Sequence, residues 1–164
     1  MSLFEFHSYG MPTGELFIPT HDEEGPLFEG HNIDQYIGDR KVVLVGIPGA
    51  FTPGCTEKHI PGFIKNERAL YRKGIQEVIC MSINDPFVMI AFDDYINHEG
   101  SEITMAADPF GEVAEQMGLA TDMGVLGNRC KRFAAIIEDG QVTTMFVDEK
   151  DIDQSTAENI LKNL

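Results

Sequence analysis

Cysteine is scarce in this chain: Cys55, Cys80 and Cys130 are the only three among 164 residues, and no two of them form a CxxC pair. This spacing argues against a disulfide-stapled scaffold, a zinc site and a dithiol of the thioredoxin type. An odd, sparse set of cysteines is typical of a reducing compartment. We therefore expect a cytoplasmic protein.

Positive charge is also scarce, because 12 lysines and arginines face 27 aspartates and glutamates, for a net charge of -15. A polyanion of this kind is repelled by nucleic acid and by anionic membranes, so neither is a predicted partner. The acidic runs at residues 22–24, 93–94 and 148–151 are dispersed, which indicates solvated faces and not metal clusters. No metal or cofactor is predicted.

Long apolar runs are missing as well. The N-terminal sequence MSLFEFH has no basic region followed by an apolar stretch, so no secretory signal is predicted. No segment approaches the length needed to span a membrane. The chain length and a hydrophobic content of 43% fit a single domain over residues 1–164 with one core.

The apolar periodicities predict an α/β order of elements. The runs at residues 3–9 and 14–19 are predicted to pair as an N-terminal hairpin, followed by a polar loop and a helical turn at residues 32–37. The later elements are predicted as a strand at 41–47, a helix at 55–74, a strand near 78, a helix at 86–95, a short strand at 104–106, a helix at 111–117, a hairpin of 133–138 with 142–147, and a last helix opened by a capping box of Ser155 and Glu158.

The segment PGAFTPGC, residues 48–55, stands where the buried strand at 41–47 gives way to a helix. Cys55 is therefore predicted in a first helical turn, where free backbone N–H groups and the helix dipole favour an anion. A cysteine attacks as its thiolate, so it needs such surroundings to react at neutral pH. Thr52 adds a hydroxyl that can hydrogen-bond the sulfur or a bound oxygen.

Several other interpretations of Cys55 are open. The segment is close to a phosphate-binding loop, but cysteine stands where that motif needs lysine, which disfavours a nucleotide site. Cys55 is alternatively a buried structural cysteine, although the turn residues around it predict a partly open site. A cysteine hydrolase with His59 or His98 as base is a further hypothesis, and His59 shares a helix face with Cys55.

The Pro-x-x-x-Thr-x-x-Cys pattern of this segment resembles the active-site signature of peroxiredoxins, which are thiol peroxidases with a thioredoxin-like fold. The longer segments 45–55, 59–63 and 82–88 resemble the type II, or peroxiredoxin-five-like, subfamily. The segment GNRCKRF at 127–133 is similar to the one that carries the family's catalytic arginine. The resemblance runs from about residue 41 to the C-terminus. It implies a thioredoxin-like α/β fold with an N-terminal β-hairpin extension and a central mixed sheet flanked by helices.

The resemblance implies a mechanism in which Cys55 attacks peroxide and becomes a sulfenic acid. Arg132 is the match to the arginine that polarises the peroxide and holds the thiolate, Thr52 hydrogen-bonds the same oxygens, and Pro48 shields the site from water. The implied function is reduction of hydrogen peroxide and alkyl hydroperoxides in antioxidant defence. A peroxide-responsive redox sensor or partner-binding protein is the alternative.

The return of Cys55 to the thiol is open between two routes. Cys80 matches the resolving cysteine of plant-like members, yet it lies in a predicted central strand, and two cysteines must approach within about 7 Å between Cα atoms to bond. The other route is a one-cysteine cycle in which glutathione or glutaredoxin attacks the sulfenic acid. The predicted electron donor is accordingly glutaredoxin with glutathione, or thioredoxin. Cys130 is predicted to be an incidental exposed thiol. The resemblance also implies a homodimer, with Phe51 and Phe87 as candidate interface residues.

Overall fold

A computed structural model of the chain describes residues 2–4 by their backbone and residues 11–97 and 100–164 in full. The strands are β1 Ser2–Phe4, β2 Glu15–Pro19, β3 Phe28–Asn32, β4 Val42–Gly46, β5 Glu77–Ser82, β6 Thr104–Ala107, β7 Ala120–Asp122, β8 Asn128–Cys130, β9 Arg132–Glu138 and β10 Gln141–Asp148. The α-helices are α1 Ile33–Ile37, α2 Ile60–Lys65, α3 Glu67–Arg72, α4 Pro86–Ile96, α5 Glu112–Gln116 and α6 Ala157–Lys162. A π-helical turn, Cys55–His59, precedes α2, and a 3₁₀ turn, Gly124–Leu126, joins β7 to β8.

Eight of these strands form one mixed sheet in the order β1-β10-β9-β4-β5-β6-β2-β3. Strands β4, β5 and β6 run parallel, and their flanks are antiparallel. Helices cover both faces, so the predicted central mixed sheet flanked by helices is confirmed. Within the described residues, no helix is both long and apolar enough to cross a bilayer.

Strand β4 lies at the centre of the sheet and all five of its residues are buried. Successive side chains of a strand point to opposite faces. Val43 and Val45 accordingly join the apolar layer under α2, α3, α4 and α6, whereas Val42 and Leu44 join the layer under α1 and α5. The β-branched run of the sequence therefore predicts this strand correctly, because only a strand buried on both faces carries apolar residues at every position.

The N-terminal pairing differs from the prediction. Strand β1 pairs with β10, with Leu3 opposite Phe146, and not with the run at residues 14–19. An N-terminal hairpin exists, but it joins β2 to β3, so its second strand falls in the segment predicted as a polar loop. Strand β3 was missed because it lies at the edge of the sheet and its sequence, FEGHN, has little apolar alternation. Residues 5–9 of the predicted first strand lie outside the described part of the chain.

Three helical details also differ from the prediction. The helix predicted at 55–74 is divided into the π-turn, α2 and α3, with a break at Asn66. The cap of α6 is Thr156, whose hydroxyl accepts a hydrogen bond from the backbone N–H of Asn159, and not Ser155. The small hairpin of β7 and β8 was not predicted.

The hairpin of β9 and β10 is confirmed at its predicted turn. Asp139 and Gly140 both have positive φ, as a tight two-residue hairpin turn requires. The hairpin brings Phe133 opposite Gly46 of β4. A Cβ atom on Gly46 would lie 2.0 Å from Cε1 of Phe133, so only glycine lets this ring pack across the sheet.

Candidate active site

Cys55 begins the π-helical turn that follows the loop after β4. The turn is closed by the N–H of Ile60, which donates to the carbonyl of Cys55, and π-turns of this kind are frequent at functional sites. The Cys55 side chain has no exposed surface, so the prediction of a partly open position is wrong for the sulfur itself. The loop before it is open, since the Phe51 side chain is 48% exposed.

Arg132 is the cation that reaches the sulfur. It is the first residue of β9 and shares a strand face with Ala134, which packs in the same apolar layer as Cys55. Its Nη2 donates to Sγ of Cys55 at 3.4 Å. A Cβ atom on Gly54 would lie 3.2 Å from that nitrogen, so glycine keeps the approach clear. A guanidinium here stabilises negative charge on the sulfur and on an oxygen bound beside it.

His59 holds the other side of the same guanidinium. Nη1 of Arg132 lies 2.9 Å from Nδ1 of His59, and because arginine can only donate, Nδ1 is the acceptor. The proton of the neutral ring is therefore on Nε2, which donates to the carbonyl of Ser155 at 2.9 Å. Burial, helped by the charge of Arg132, lowers the pKa of His59 to about 4.

These contacts exclude His59 as the base of a cysteine hydrolase. Both ring nitrogens are engaged, one by Arg132 and the other by a backbone carbonyl, so neither is directed at Cys55. The second candidate base, His98, lies outside the described residues.

The depressed pKa of His59 makes stability depend on pH. Above the unfolded value of about 6.5 both states are neutral, and as the pH falls toward 4 only the unfolded state gains the proton. Folding should lose about 2 kcal/mol between pH 7 and pH 5 from this residue. His59→Gln, which keeps one acceptor and one donor but cannot ionise, should lack that loss.

Urea unfolding of both proteins at pH 7 and pH 5 measures the difference. His31→Gln is the matched control, because 36% of the His31 side chain is exposed, and it should keep the wild-type loss. An equal loss in wild type and His59→Gln would refute the assignment of a buried neutral ring.

Thr52 and Pro48 belong to the loop that leads into Cys55. The hydroxyl of Thr52 donates to the carbonyl of Gly49 at 2.6 Å, and its own carbonyl accepts from the N–H of Thr56 at 3.0 Å. Thr52 therefore fixes the loop, and its hydroxyl oxygen keeps acceptor capacity. Pro48 is partly buried at the start of the loop.

Asn84 anchors this loop from the end of β5. Its Oδ1 accepts from the backbone N–H of Ala50 at 3.0 Å and from the buried hydroxyl of Ser82 at 2.5 Å. Phe51, which follows Ala50 in the loop, has a φ of 65°, a left-handed conformation that is costly for an aromatic residue. Its ring packs at 5.2 Å between centroids on Phe92. Strain of this kind concentrates at functional loops because the surrounding contacts hold it there.

Arg129, Lys131 and Arg132 lie close together in the sequence but have separate partners. Arg129 donates to the carbonyl of Leu126 at 2.7 Å and, more weakly, to those of Pro48 and Ile83 at 3.4 Å, which ties the loop before Cys55 to β8. Lys131 lies 3.5 Å from a carboxylate oxygen of Glu149. Only Arg132 of these three reaches Cys55.

A cavity of about 340 Å³ opens beside Arg132 and Pro48. Its other lining residues are Thr121, Met123, Lys131 and the segment 148–151. The cavity therefore gives a small polar molecule access to Arg132, although Cys55 itself is not among the lining residues.

The other two cysteines are buried on opposite faces of the sheet. Cys80 lies in β5 within the same apolar layer as Cys55, as predicted for a central strand. Burial, reinforced by the neighbouring thiols Cys55 and Cys130, raises the pKa of Cys80 well above its usual value. Cys130 packs in the opposite layer, so its prediction as an incidental exposed thiol is wrong. Burial and the charge of Asp108 raise its pKa instead.

Two of the acidic runs contain buried carboxylates, contrary to the prediction of solvated faces. Asp93 is buried and accepts a hydrogen bond from Asn97. Asp148 is buried at the end of β10 and accepts from the hydroxyl of Ser155 at 2.7 Å. Asp148 and Ser155 were missed as parts of the site because their link to it passes through the backbone carbonyl of Ser155, which leaves no mark in the sequence. Among residues 11–97 and 100–164, no group of three or more His, Cys, Asp or Glu side chains is arranged to hold a metal ion.

Comparison with known sequences gives a consistent set of relatives. The family model described as Redoxin matches residues 28–161, which begins earlier than the motifs alone indicate. Peroxiredoxin-2B of Arabidopsis thaliana is 39% identical over 145 residues, covering 87% of this chain and 89% of that protein.

Comparison with solved structures gives relatives of the same kind as the sequence comparison. The reduced Prx3 of Vibrio vulnificus in complex with H₂O₂ superposes with a TM-score of 0.85 at 35% identity, covering 95% of this chain and 93% of that one. Peroxiredoxin 5 from Alvinella pompejana superposes with a TM-score of 0.75 at 26% identity, covering 93% and 94% of the two chains.

Proposed function

The chain belongs to the redoxin family as a peroxiredoxin, and on that premise we propose that peroxide oxidises Cys55 in a site completed by Arg132, Thr52 and Pro48. The protein is a thiol-dependent peroxidase with an antioxidant function, in a thioredoxin-like fold. The redox-sensor alternative is not favoured, because the relatives at this level of identity are peroxiredoxins.

The contact between Arg132 and Cys55 carries the assignment of residues. With Nη2 at 3.4 Å from Sγ, the guanidinium stands beside the place where a peroxide oxygen meets the sulfur. The thiolate of Cys55 attacks one peroxide oxygen, an S–O bond forms and the O–O bond breaks. The other oxygen leaves as an alkoxide or hydroxide and takes a proton to become an alcohol or water. Arg132 stabilises the charge as it moves from sulfur to the leaving oxygen.

In this proposal Thr52 hydrogen-bonds the peroxide oxygens, and Pro48 shields the site from water. The hydroxyl of Thr52 is held by the carbonyl of Gly49, so its oxygen is fixed before peroxide enters. Pro48 has no N–H to attract water and lines the cavity beside Arg132. Hydrogen peroxide and alkyl hydroperoxides both present the two oxygens that this arrangement needs.

The enzyme takes its electrons from a thioredoxin-type donor, and we propose that the donor thiol attacks the sulfenic acid of Cys55 directly. That step forms a mixed disulfide and releases water, and a second thiol then restores Cys55 as a disulfide leaves. The support is the position of Cys80: it is fully buried in β5, paired on both sides by β4 and β6, and burial raises its pKa. A thiol so placed is a poor nucleophile while the sheet is intact. Glutaredoxin with glutathione and thioredoxin are both candidate donors.

Cys80→Ser should therefore sustain peroxide turnover within a few-fold of wild type when glutaredoxin and glutathione, thioredoxin or dithiothreitol is supplied in turn. Dithiothreitol is the artificial reference donor, and whichever of glutaredoxin with glutathione or thioredoxin sustains the higher rate identifies the physiological class. Cys130→Ser is the matched control, because Cys130 is equally buried but lies in the opposite layer. If Cys80→Ser is oxidised once and then turns over with none of the donors, Cys80 is the resolving cysteine and the direct route is refuted.

We also propose that the protein is a homodimer. Phe51, Phe87 and Tyr95 expose 48%, 62% and 59% of their surface, and the first and last are 5.6 Å apart between ring centroids. Aromatic side chains are enriched in the cores of protein interfaces. The three free cysteines fit a reducing compartment, so we propose the cytoplasm as its location.

A further inference from the structure

A chain of hydrogen bonds continues behind Arg132, away from the reacting sulfur. Arg132 donates to His59, His59 donates to the carbonyl of Ser155, and Ser155 donates to Asp148 through both its N–H and its hydroxyl, at 2.9 and 2.7 Å. His59, Ser155 and Asp148 are all buried. The orientation of the guanidinium at Cys55 is thus connected to the carboxylate of Asp148, which lies three hydrogen bonds away from Arg132 along this chain.

The pairing of β9 with β10 places Asp148 at the end of this hydrogen-bond chain. It lies directly opposite Arg132 in the β9–β10 register, so the two side chains share a face. Its carboxylate also accepts from the N–H groups of Asp153 and Gln154, at 3.1 and 2.9 Å, and thereby folds the segment before α6 into a tight turn. That turn presents the carbonyl of Ser155 to the imidazole ring.

Asp148 is ionised at neutral pH despite its burial. Burial by itself raises the pKa of a carboxyl, but the Ser155 hydroxyl and the three backbone N–H donors outweigh it and lower the pKa of Asp148 below its usual value. A carboxylate with four donors is rigid, and rigid partners fix the tautomer and ring orientation of a histidine.

We propose that Asp148, with Ser155, is a positioning residue of the peroxidase: it sets the carbonyl that holds His59, and His59 in turn aims Arg132 at Cys55. This rests on the proposed role of Arg132 and goes beyond the four residues of the peroxide site. A guanidinium released on its His59 side has many rotamers, and a displacement of about 1 Å at a reacting centre costs on the order of 100-fold in rate.

The test is the second-order rate constant of Cys55 oxidation by hydrogen peroxide in Asp148→Asn, which keeps the shape of the side chain but removes its charge and one acceptor oxygen. We expect a fall of about 10- to 100-fold. Alkylation of Cys55 by iodoacetamide, which needs no stabilised leaving oxygen, should change much less. Asp148→Asn should therefore lower the ratio of the peroxide rate to the iodoacetamide rate. Ser155→Ala, which removes one hydrogen bond only, should lower that ratio by less.

Asp108→Asn is the matched control. Asp108 is also a buried carboxylate and accepts from the N–H groups of Val113 and Ala114 at the start of α5, so its loss costs stability without touching Arg132. It should leave the ratio of peroxide to iodoacetamide rates unchanged. If Asp108→Asn lowers the ratio as much as Asp148→Asn does, the effect is one of general stability and the proposal is overturned.

A double-mutant experiment with Arg132 distinguishes this proposal from the proposed role of Arg132 itself, on which it rests. In an Arg132→Met background Asp148→Asn should have no further effect on the peroxide rate, because a residue that acts through Arg132 has nothing left to position. An equal fall in both backgrounds would overturn the positioning role. If Arg132→Met itself leaves the peroxide rate unchanged, the assignment of Arg132 fails first; if it lowers the rate while Asp148→Asn and Ser155→Ala do not, only the role of Asp148 fails.

Discussion

Cys55→Ser should lose peroxide consumption altogether, with a fall of at least about a thousandfold in the rate constant. A serine hydroxyl does not ionise near neutral pH and is a far weaker nucleophile than a thiolate, so the guanidinium of Arg132 then faces a group that cannot attack the O–O bond. The substitution is close to isosteric and the position is buried, so the fold should survive it.

The rate is measured on the reduced protein by competition with a haem peroxidase for hydrogen peroxide, because the chain has no tryptophan to report the reaction by fluorescence. Cys130→Ser, which removes a thiol from the opposite face of the sheet, should remain within a few-fold of wild type. Residual consumption in Cys55→Ser above about a tenth of the wild-type rate would mean that another group carries the chemistry.

Arg132→Met should lower the rate constant for oxidation by about 100- to 1,000-fold, the usual effect of removing a donor that stabilises charge in the transition state. Methionine fills much of the same volume, so the loss reflects the missing guanidinium. Arg132→Lys should recover only part of the rate. A single ammonium group cannot reach Sγ of Cys55 and Nδ1 of His59 with the fixed fork that the two Nη atoms provide.

Lys58→Met provides the control for loss of positive charge. Lys58 is exposed on the same π-turn as Cys55, so its removal changes the net charge near the site without removing a donor to the sulfur. It should leave the rate within about twofold, since exposed charges are well screened. An Arg132→Met rate as close to wild type as that of Lys58→Met would contradict the role given to the guanidinium.

The parts of the fold that the sequence predicts are those governed by local rules. Strand β4 is predictable from residues that are apolar at every position, and α4 from Pro86 in its first turn; the side chain of Asp85 then caps that helix by accepting from the N–H of Val88. The hairpin of β9 and β10 follows from Asp139 and Gly140. The pairing of β1 with β10 was not predictable in this way, because it joins residues 2–4 to residues 145–147 and depends on which sheet edge is left free.

The residues of the candidate site also divide into those that a local sequence motif predicts and those that depend on tertiary structure. Cys55 and Thr52 stand in one short motif, and the resemblance to peroxiredoxins adds Arg132. Arg132 is the first residue of β9, whereas Arg129 lies in β8 and Lys131 lies between the two strands. Predicting which of them meets the sulfur required the start of β9 to be known within one residue. The π-turn that places Cys55 and His59 on one guanidinium has no sequence signature that we recognise.

The supporting residues were the hardest to predict. Asp148 stands in a run of charged residues that is typical of a solvated face, and Ser155 matches a helix-capping pattern. Both are buried because the chain folds back over the end of β10, and the link to His59 uses a main-chain carbonyl. Contacts of this type come from tertiary structure alone.

The most direct test of the account is to treat the fully reduced protein with one equivalent of hydrogen peroxide in the presence of dimedone and to map the adduct by mass spectrometry of its peptides. Oxidation at the sulfur that Arg132 contacts predicts the sulfenic acid adduct on Cys55, and its loss in Cys55→Ser. An adduct on Cys80 or Cys130 in place of Cys55, or equal labelling of Cys55 in Arg132→Met at the earliest times, would contradict it.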